Sequence, residues 1–321
     1  MDHLKPRLGI SSCLLGHSVR FDSGHKHNAY ITETLGQYIE FVPFCPEVAA
    51  DLGIPRPAIH LVKRDQSLRA LQVKNHAIDV TDQLHAASQQ ILAQPSLASL
   101  SGFILKKDSP SCGMERVKVF EEQATSQAPE RSGMGLFATA LRQQYPNLPL
   151  EEEGRLCDPV LRENFIGRVF VYQRWQQLMQ APISASALVE FHSDHKYLIM
   201  AHDQNSLREL GQLVAQAGTT DLASLQAEYI QKLMQVLAKR ASRGQQGNVL
   251  AHLVGYLPSD LAREDRAELV ETISQYQQGY LPLIVPITLL KHHFRKHPHP
   301  YIGRQYYLKP HPNELMLLNL I

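Results

Sequence analysis

The sequence predicts an α/β N-terminal domain on an open, parallel-type sheet, followed by an all-α C-terminal domain. Three observations carry this reading. Short apolar runs at 8–10, 41–44 and 102–105 alternate with helix-period stretches, as in a parallel sheet with crossover helices. Each run ends near a cysteine in a turn bracketed by Gly or Pro. From Asp158 onward the text is helical, and 321 residues suffice for two domains.

The elements follow in order. The first strand runs into Ser11-Ser12-Cys13-Leu14-Leu15-Gly16. A helix is expected over 29–39. The second strand ends in Cys45-Pro46-Glu47. Residues 81–92 form the clearest helix, with Thr81 as N-cap and Leu84, Ala87, Ser88, Ile91 and Leu92 on one face. The third strand leads into Lys106-Lys107-Asp108-Ser109-Pro110-Ser111-Cys112-Gly113. Gly133 and Gly135 open a helix over 136–144; they offer backbone N–H groups to an anion or only make a tight turn. Pro146 and Pro149 end that helix. Further helices are expected at 161–179, 187–200, 204–217, 221–239, 259–278 and 286–295. The domain limits are read as 1–155 and 186–321, with 156–185 as connecting helix and linker.

Net charge is +1, so no global field points to nucleic acid. Charge is nevertheless uneven. Residues 229–259 hold no acid but include Lys232, Lys239, Arg240 and Arg243; residues 272–313 hold none but include Lys291, Arg295, Lys296, Arg304 and Lys309, with Tyr301, Tyr306 and Tyr307 among them. A charge run is usually a solvated face; these two fit phosphate contacts and base stacking. Residues 1–6 carry no signal-peptide core, and no apolar run approaches the ~18–20 residues of a membrane span. A cytoplasmic protein without membrane contact is expected.

Four cysteines in a long chain of this kind do not suggest a disulfide framework. Cys13, Cys45 and Cys112 on strand-end loops suit a soft metal, either zinc or an iron–sulfur cluster. Zinc sites usually show close Cys pairs, which are absent here. Three cysteines on a four-iron cluster would leave one iron open. Glu47 stands two residues after Cys45, and Ser109 and Ser111 just before Cys112. A carboxylate and a hydroxyl beside a metal are parts for general acid–base chemistry. Cys157 lies outside these motifs and reads as a plain thiol.

Ser11-Ser12-Cys13-Leu14-Leu15-Gly16 with Val19-Arg20-Phe21-Asp22, Cys45-Pro46-Glu47 with Pro55-Arg56, and the stretch from Lys106 to Gly113 together resemble the thiouracil desulfidase family. The second half, with Phe191-His192-Ser193-Asp194-His195-Lys196-Tyr197 and Gly247-Asn248 through His252, Gly255 and Tyr256, resembles the YbgA-type helical domain fused to it in desulfidases that act on 4-thiouridine in tRNA. The resemblance implies a [4Fe–4S] cluster held by Cys13, Cys45 and Cys112, with the open iron taking the substrate sulfur in a non-redox desulfuration. It implies Glu47 as general acid/base and Ser109 as a second polar group in catalysis. Ser111, Lys106, Lys107 and Arg20 are expected near substrate, and Lys239, Arg240, Arg243, Lys291, Arg295 and Lys296 near RNA. The expected partners are tRNA and thiolated uracil nucleotides. Three alternatives stand beside this: a desulfidase of free thiouracil or thiolated nucleotides, a non-enzymatic, zinc-stabilised RNA-binding protein, and a redox sensor whose cluster is lost in air.

Overall fold

In chain order the first unit runs β1 (Arg7–Ser11), β2 (Glu40–Phe44), α1 (Pro46–Ala49), β3 (Ile59–Arg64), β4 (Ser67–Gln72), β5 (Asn75–Asp79), α2 (Thr81–Leu92), α3 (Pro95–Ala98), β6 (Gly102–Leu105), β7 (Val117–Glu121), β8 (Glu130–Gly133), α4 (Leu136–Gln144) and β9 (Leu150–Glu152). The computed structural model describes residues 5–65, 67–122 and 128–321. It divides into two units, Met1–Cys157 and Asp158–Ile321.

The sheet expected from the sequence is present, with strand order β2-β1-β6-β9 and every pairing parallel. β6 is buried along its whole length, as is β1 after its first residue. Strands covered on both faces read as unbroken apolar runs, which is why they were visible in the sequence. Gly9 in β1 makes room for Phe103: a Cβ there would lie 2.2 Å from the ring. Phe103 in turn packs between Phe44 and Phe137, with ring centroids 5.6 Å away on each side.

A second sheet, β5-β4-β3-β7-β8, was not expected. It is mostly antiparallel, with β3 and β7 parallel. Leu61, Ala70, Val117 and Val119 from this sheet pack with Leu84 of α2 and Leu136 of α4. The helix expected over 29–39 is instead a π turn, Tyr30–Thr34, followed by a 3-10 turn, Leu35–Gln37. Thr81 does not cap α2; its hydroxyl accepts the Ala70 N–H at 2.7 Å and ties the helix start to β4.

The second unit is helical throughout its described residues: α5 (Pro159–Leu178), α6 (Ala185–His202), α7 (Gln204–Val214), α8 (Leu222–Ala238), α9 (Arg243–Val254), α10 (Arg263–Gln278) and α11 (Ile284–Lys296), then short turns. The segment 156–185 holds α5, which packs on α8 within this unit. Asp158 caps α5 by accepting the N–H groups of Val160 and Leu161. α9 escaped the sequence reading because its apolar stripe is weak and it holds two internal glycines. Gly247 lets α9 approach α10, since a Cβ would lie 2.2 Å from the Gln277 side chain.

Candidate active site

β1 lies between β2 and β6 and runs parallel to both, so the carboxyl ends of all three strands open on one edge. Sites in open parallel sheets form at such edges. Each strand delivers one cysteine. Cys13 sits in a 3-10 turn, Ser12–Leu15, ended by Gly16 at φ 93°. Cys45 is the extended residue before α1. Cys112 ends a tight loop in which the Ser109 hydroxyl accepts the N–H groups of Ser111 (3.2 Å) and Cys112 (3.1 Å). All three cysteines line one cleft of ≈ 330 Å³.

Burial raises all three thiol pKa values: Cys13 is pushed up to about 11, and Cys112 well above its usual value. Repulsion adds to this, because Cys45 acts on both Cys13 and Cys112. The Ser11 hydroxyl opposes it at Cys112, and Lys106 and Arg20 oppose it at Cys13. Thiolates this close and this buried require a cation to be stable together. Among the described residues no three His, Cys, Asp or Glu side chains gather as they would around a single metal ion.

Glu47 lines the same cleft and is clamped at both oxygens. Arg56 donates to its Oε2 from Nε (2.9 Å) and Nη2 (2.6 Å), and the Ser111 hydroxyl donates to Oε1 at 2.8 Å. Arg56 is itself fixed by the carbonyls of Gly53 and Val19, and its side chain is only 3% exposed. The two serines of the motif therefore divide their work. Ser109 lines the cleft and shapes the Cys112 loop. Ser111, expected near substrate, is wholly buried away from the cleft lining and holds Glu47.

Lys106, Lys107 and Arg20 line the cleft. Lys106 pairs with Glu153, whose other oxygen accepts the Lys107 N–H at 2.7 Å. Arg20 lies 3.6 Å from Asp22 and 5.3 Å above the Phe21 ring. Arg20 is thus a cleft wall that is also locally paired, while Asp22 lies outside the cleft lining.

Sequence reasoning missed the scaffold behind Cys112. Glu152 accepts the Met114 N–H at 2.8 Å, fixing the loop exit, and burial raises its pKa. Its neighbour Glu151 bonds Arg155, which also reaches Glu115. The only signal was three consecutive acids after a β-like Leu. At the start of α4, the N–H groups of Leu136 and Phe137 donate to the carbonyls of Pro110 and Ser111, so they are not open to an anion. Gly135 permits this contact, since a Cβ would lie 2.4 Å from the Ser111 carbonyl oxygen.

Outside the first unit's cleft the basic residues behave differently from one another. Lys239 pairs with Asp203 at 2.6 Å. Arg243 donates to the carbonyls of Tyr276 and Leu281 and stacks on the Tyr276 ring. Both have partners within the second unit, and Lys239 remains exposed to solvent. Arg240 borders a small cavity with Glu163 and Asn164. Lys291 and Arg295 line a larger cavity, and Lys296 is exposed beside it on α11. Cys157 is exposed and does not line the cleft. No helix among the described residues is long and apolar enough to cross a membrane.

Comparison with known proteins agrees with this division. Residues 8–153 match the family described as 2-thiouracil desulfurase, and residues 196–312 match a family described as a protein of unknown function, DUF1722. The uncharacterized protein YbgA of Escherichia coli (strain K12) is 28% identical over 151 residues, 47% of this chain and 89% of that one. A solved [4Fe–4S]-dependent thiouracil desulfidase, TudS, aligns at a TM-score of 0.37 and 25% identity over 48% of this chain and 95% of that one. The chain has a two-domain, thiouracil-desulfidase-like architecture, with a desulfurase-type first unit and a DUF1722-type second unit.

Proposed function

We propose that this protein replaces the sulfur of thiolated uracil with oxygen from water, that 4-thiouridine in tRNA is its substrate, and that it works in the cytoplasm. The observation that carries the reading is the convergence of Cys13, Cys45, Cys112 and a clamped Glu47 on one cleft. The donor set fits a [4Fe–4S] cluster: three soft thiols, from separate loops, line one cleft. When bound, such a cluster would supply an iron without a protein thiolate, a Lewis acid for the thiocarbonyl sulfur.

The chain's own residues supply the rest. Glu47 accepts a proton from the water that attacks the ring carbon. Arg56 and Ser111 fix its carboxylate so that orientation is settled before substrate arrives. Phe21 and Phe44 give the pyrimidine an apolar wall, and the Ser109 hydroxyl can position the ring or the water. Lys106 and Arg20 offset negative charge that collects on the leaving sulfur. The balance needs no electron: a C=S bond is exchanged for C=O, and the sulfur leaves as hydrosulfide with one of the water's protons.

Anaerobic purification with iron and sulfide quantitation, followed by sulfide release from thiolated tRNA, tests the reading. A brown protein that releases sulfide supports it; a colourless, zinc-containing protein without turnover overturns it. The cleft volume of ≈ 330 Å³ favours a second reading, since it would admit a free base or nucleotide. Turnover of free 2-thiouracil at least as efficient as that of thiolated tRNA, with no salt dependence, would select that reading.

A further inference from the structure

In the second unit a cavity of ≈ 550 Å³ lies between α11 and the turns that follow it, a size typical of small-molecule sites. Thr288, Lys291 and Arg295 face it from α11, spaced to share one helix face. Lys309 faces it from the opposite segment. Among the described residues, none of these three cations makes an ion pair with a carboxylate, and no acidic side chain lines the cavity.

The lining has further features that suit a ligand. Gln305 lines the cavity and is only 2% exposed. Its Nε2 donates to the Ser193 carbonyl at 2.9 Å, which fixes the amide orientation, yet its Oε1 has no partner. A buried acceptor without a donor is destabilising until one arrives. Apolar side chains complete the lining, with Phe294, Ile302 and Leu308 beside the cations. The positive field extends behind the wall: Lys291 and Arg174 both act on the buried His311, whose Nε2 is also without a partner. Burial and Lys309 together lower the Lys291 pKa, a strain that an anion would relieve.

We propose that this cavity binds a phosphorylated nucleoside, with the phosphate on Lys291, Arg295 and Lys309, the ring against Phe294, Ile302 and Leu308, and a ring or sugar donor on Gln305 Oε1. The nucleoside phosphate can be free or one unit of an RNA chain. The inference stands on the second unit alone and does not depend on desulfuration in the first.

The test is calorimetric titration of the full-length protein with uridine 5′-monophosphate, uridine and inorganic phosphate, with hydrogen exchange read over 284–319. The same is done for an Arg295→Gln/Lys309→Gln variant, which changes two exposed side chains. The expected result is saturable binding of the monophosphate, at least tenfold tighter than uridine or phosphate. It should protect 284–319 and weaken at least tenfold in the variant. An unmodified tRNA that displaces the monophosphate identifies an RNA-borne nucleotide as the source, and one that does not displace it identifies the free nucleotide. Absence of protection at 284–319, or affinity unchanged in the variant, overturns the site. Equal affinity for inorganic phosphate overturns the placement of the ring.

Discussion

Beside the thiols of the first unit, three cations each have an anion close by: Arg56 on Glu47, Lys106 on Glu153, and Arg20 near Asp22. In the second unit, Lys291, Arg295 and Lys309 share a cavity that no carboxylate lines. The contrast separates two uses of charge. Arg56 holds a reactive carboxylate in one orientation, while Lys106 and Arg20, each beside an anion, keep part of their field at the thiols. An unpaired group of cations keeps its field and remains available to a ligand. The first arrangement suits chemistry and the second suits binding.

The largest effect that would break this comparison is at the thiols. Cys13→Ala, Cys45→Ala and Cys112→Ala should each reduce bound iron and sulfide release to background, while Cys157→Ala leaves both intact. Iron quantitation on the four variants checks this, and loss of iron in Cys157→Ala alone would show that the wrong thiols are assigned to the cleft's work. Next is the clamped carboxylate. Glu47→Gln should keep its iron and lower kcat by ~10²–10⁴-fold, the usual span for a general base.

A smaller effect sharpens the idea that the clamp only positions. Ser111→Ala removes one hydrogen bond from Glu47 and touches nothing in the cleft lining. It should lower kcat about tenfold, ~1.4 kcal/mol in the barrier, with KM unchanged. A change confined to KM would mean that Ser111 reaches substrate after all.

The smallest effect concerns a second-unit pair that is structural. Asp203 caps α7 through the N–H groups of Asn205 and Ser206 and pairs with Lys239, which together lower its pKa to about 2. Its folded pKa lies below the unfolded value, so the stabilisation is full above pH 3.8 and fades as pH falls toward about 2. Asp203→Ala should destabilise by ~0.5–2 kcal/mol at neutral pH. Denaturant unfolding at pH 7 and pH 2 checks the sign: the difference between the wild-type protein and the variant should shrink at the lower pH.

The sequence was most legible where structure is local. β1 and β6 are short apolar runs buried almost throughout, β2 is a half-exposed edge strand of similar composition, and a cysteine lies on the loop after each, so the site's corners could be read from spacing. The second sheet could not. Its strands are short, and their pairing is partly long-range, as between β3 and β7. α9 hid behind two glycines, one of which, Gly247, serves its approach to α10. The ion pairs of the basic residues were hidden for a related reason: Lys239 stands in an acid-free run, and its partner, Asp203, lies 36 residues earlier. Ser109 and Ser111 stand two residues apart, and only the fold of their loop shows that one lines the cleft and the other anchors Glu47 from behind.

The strand order carries a consequence for synthesis. β6 pairs with β1, laid down about a hundred residues before it, so Cys13 and Cys45 leave the ribosome long before Cys112 can join them. The Cys112 loop is then braced by Gly135 and Glu152, which emerge later still. The thiol triad is thus completed only when nearly the whole first unit has emerged. A nascent chain halted earlier presents two cysteines and no finished cradle, so any cofactor delivery that requires all three must follow the closing of this unit.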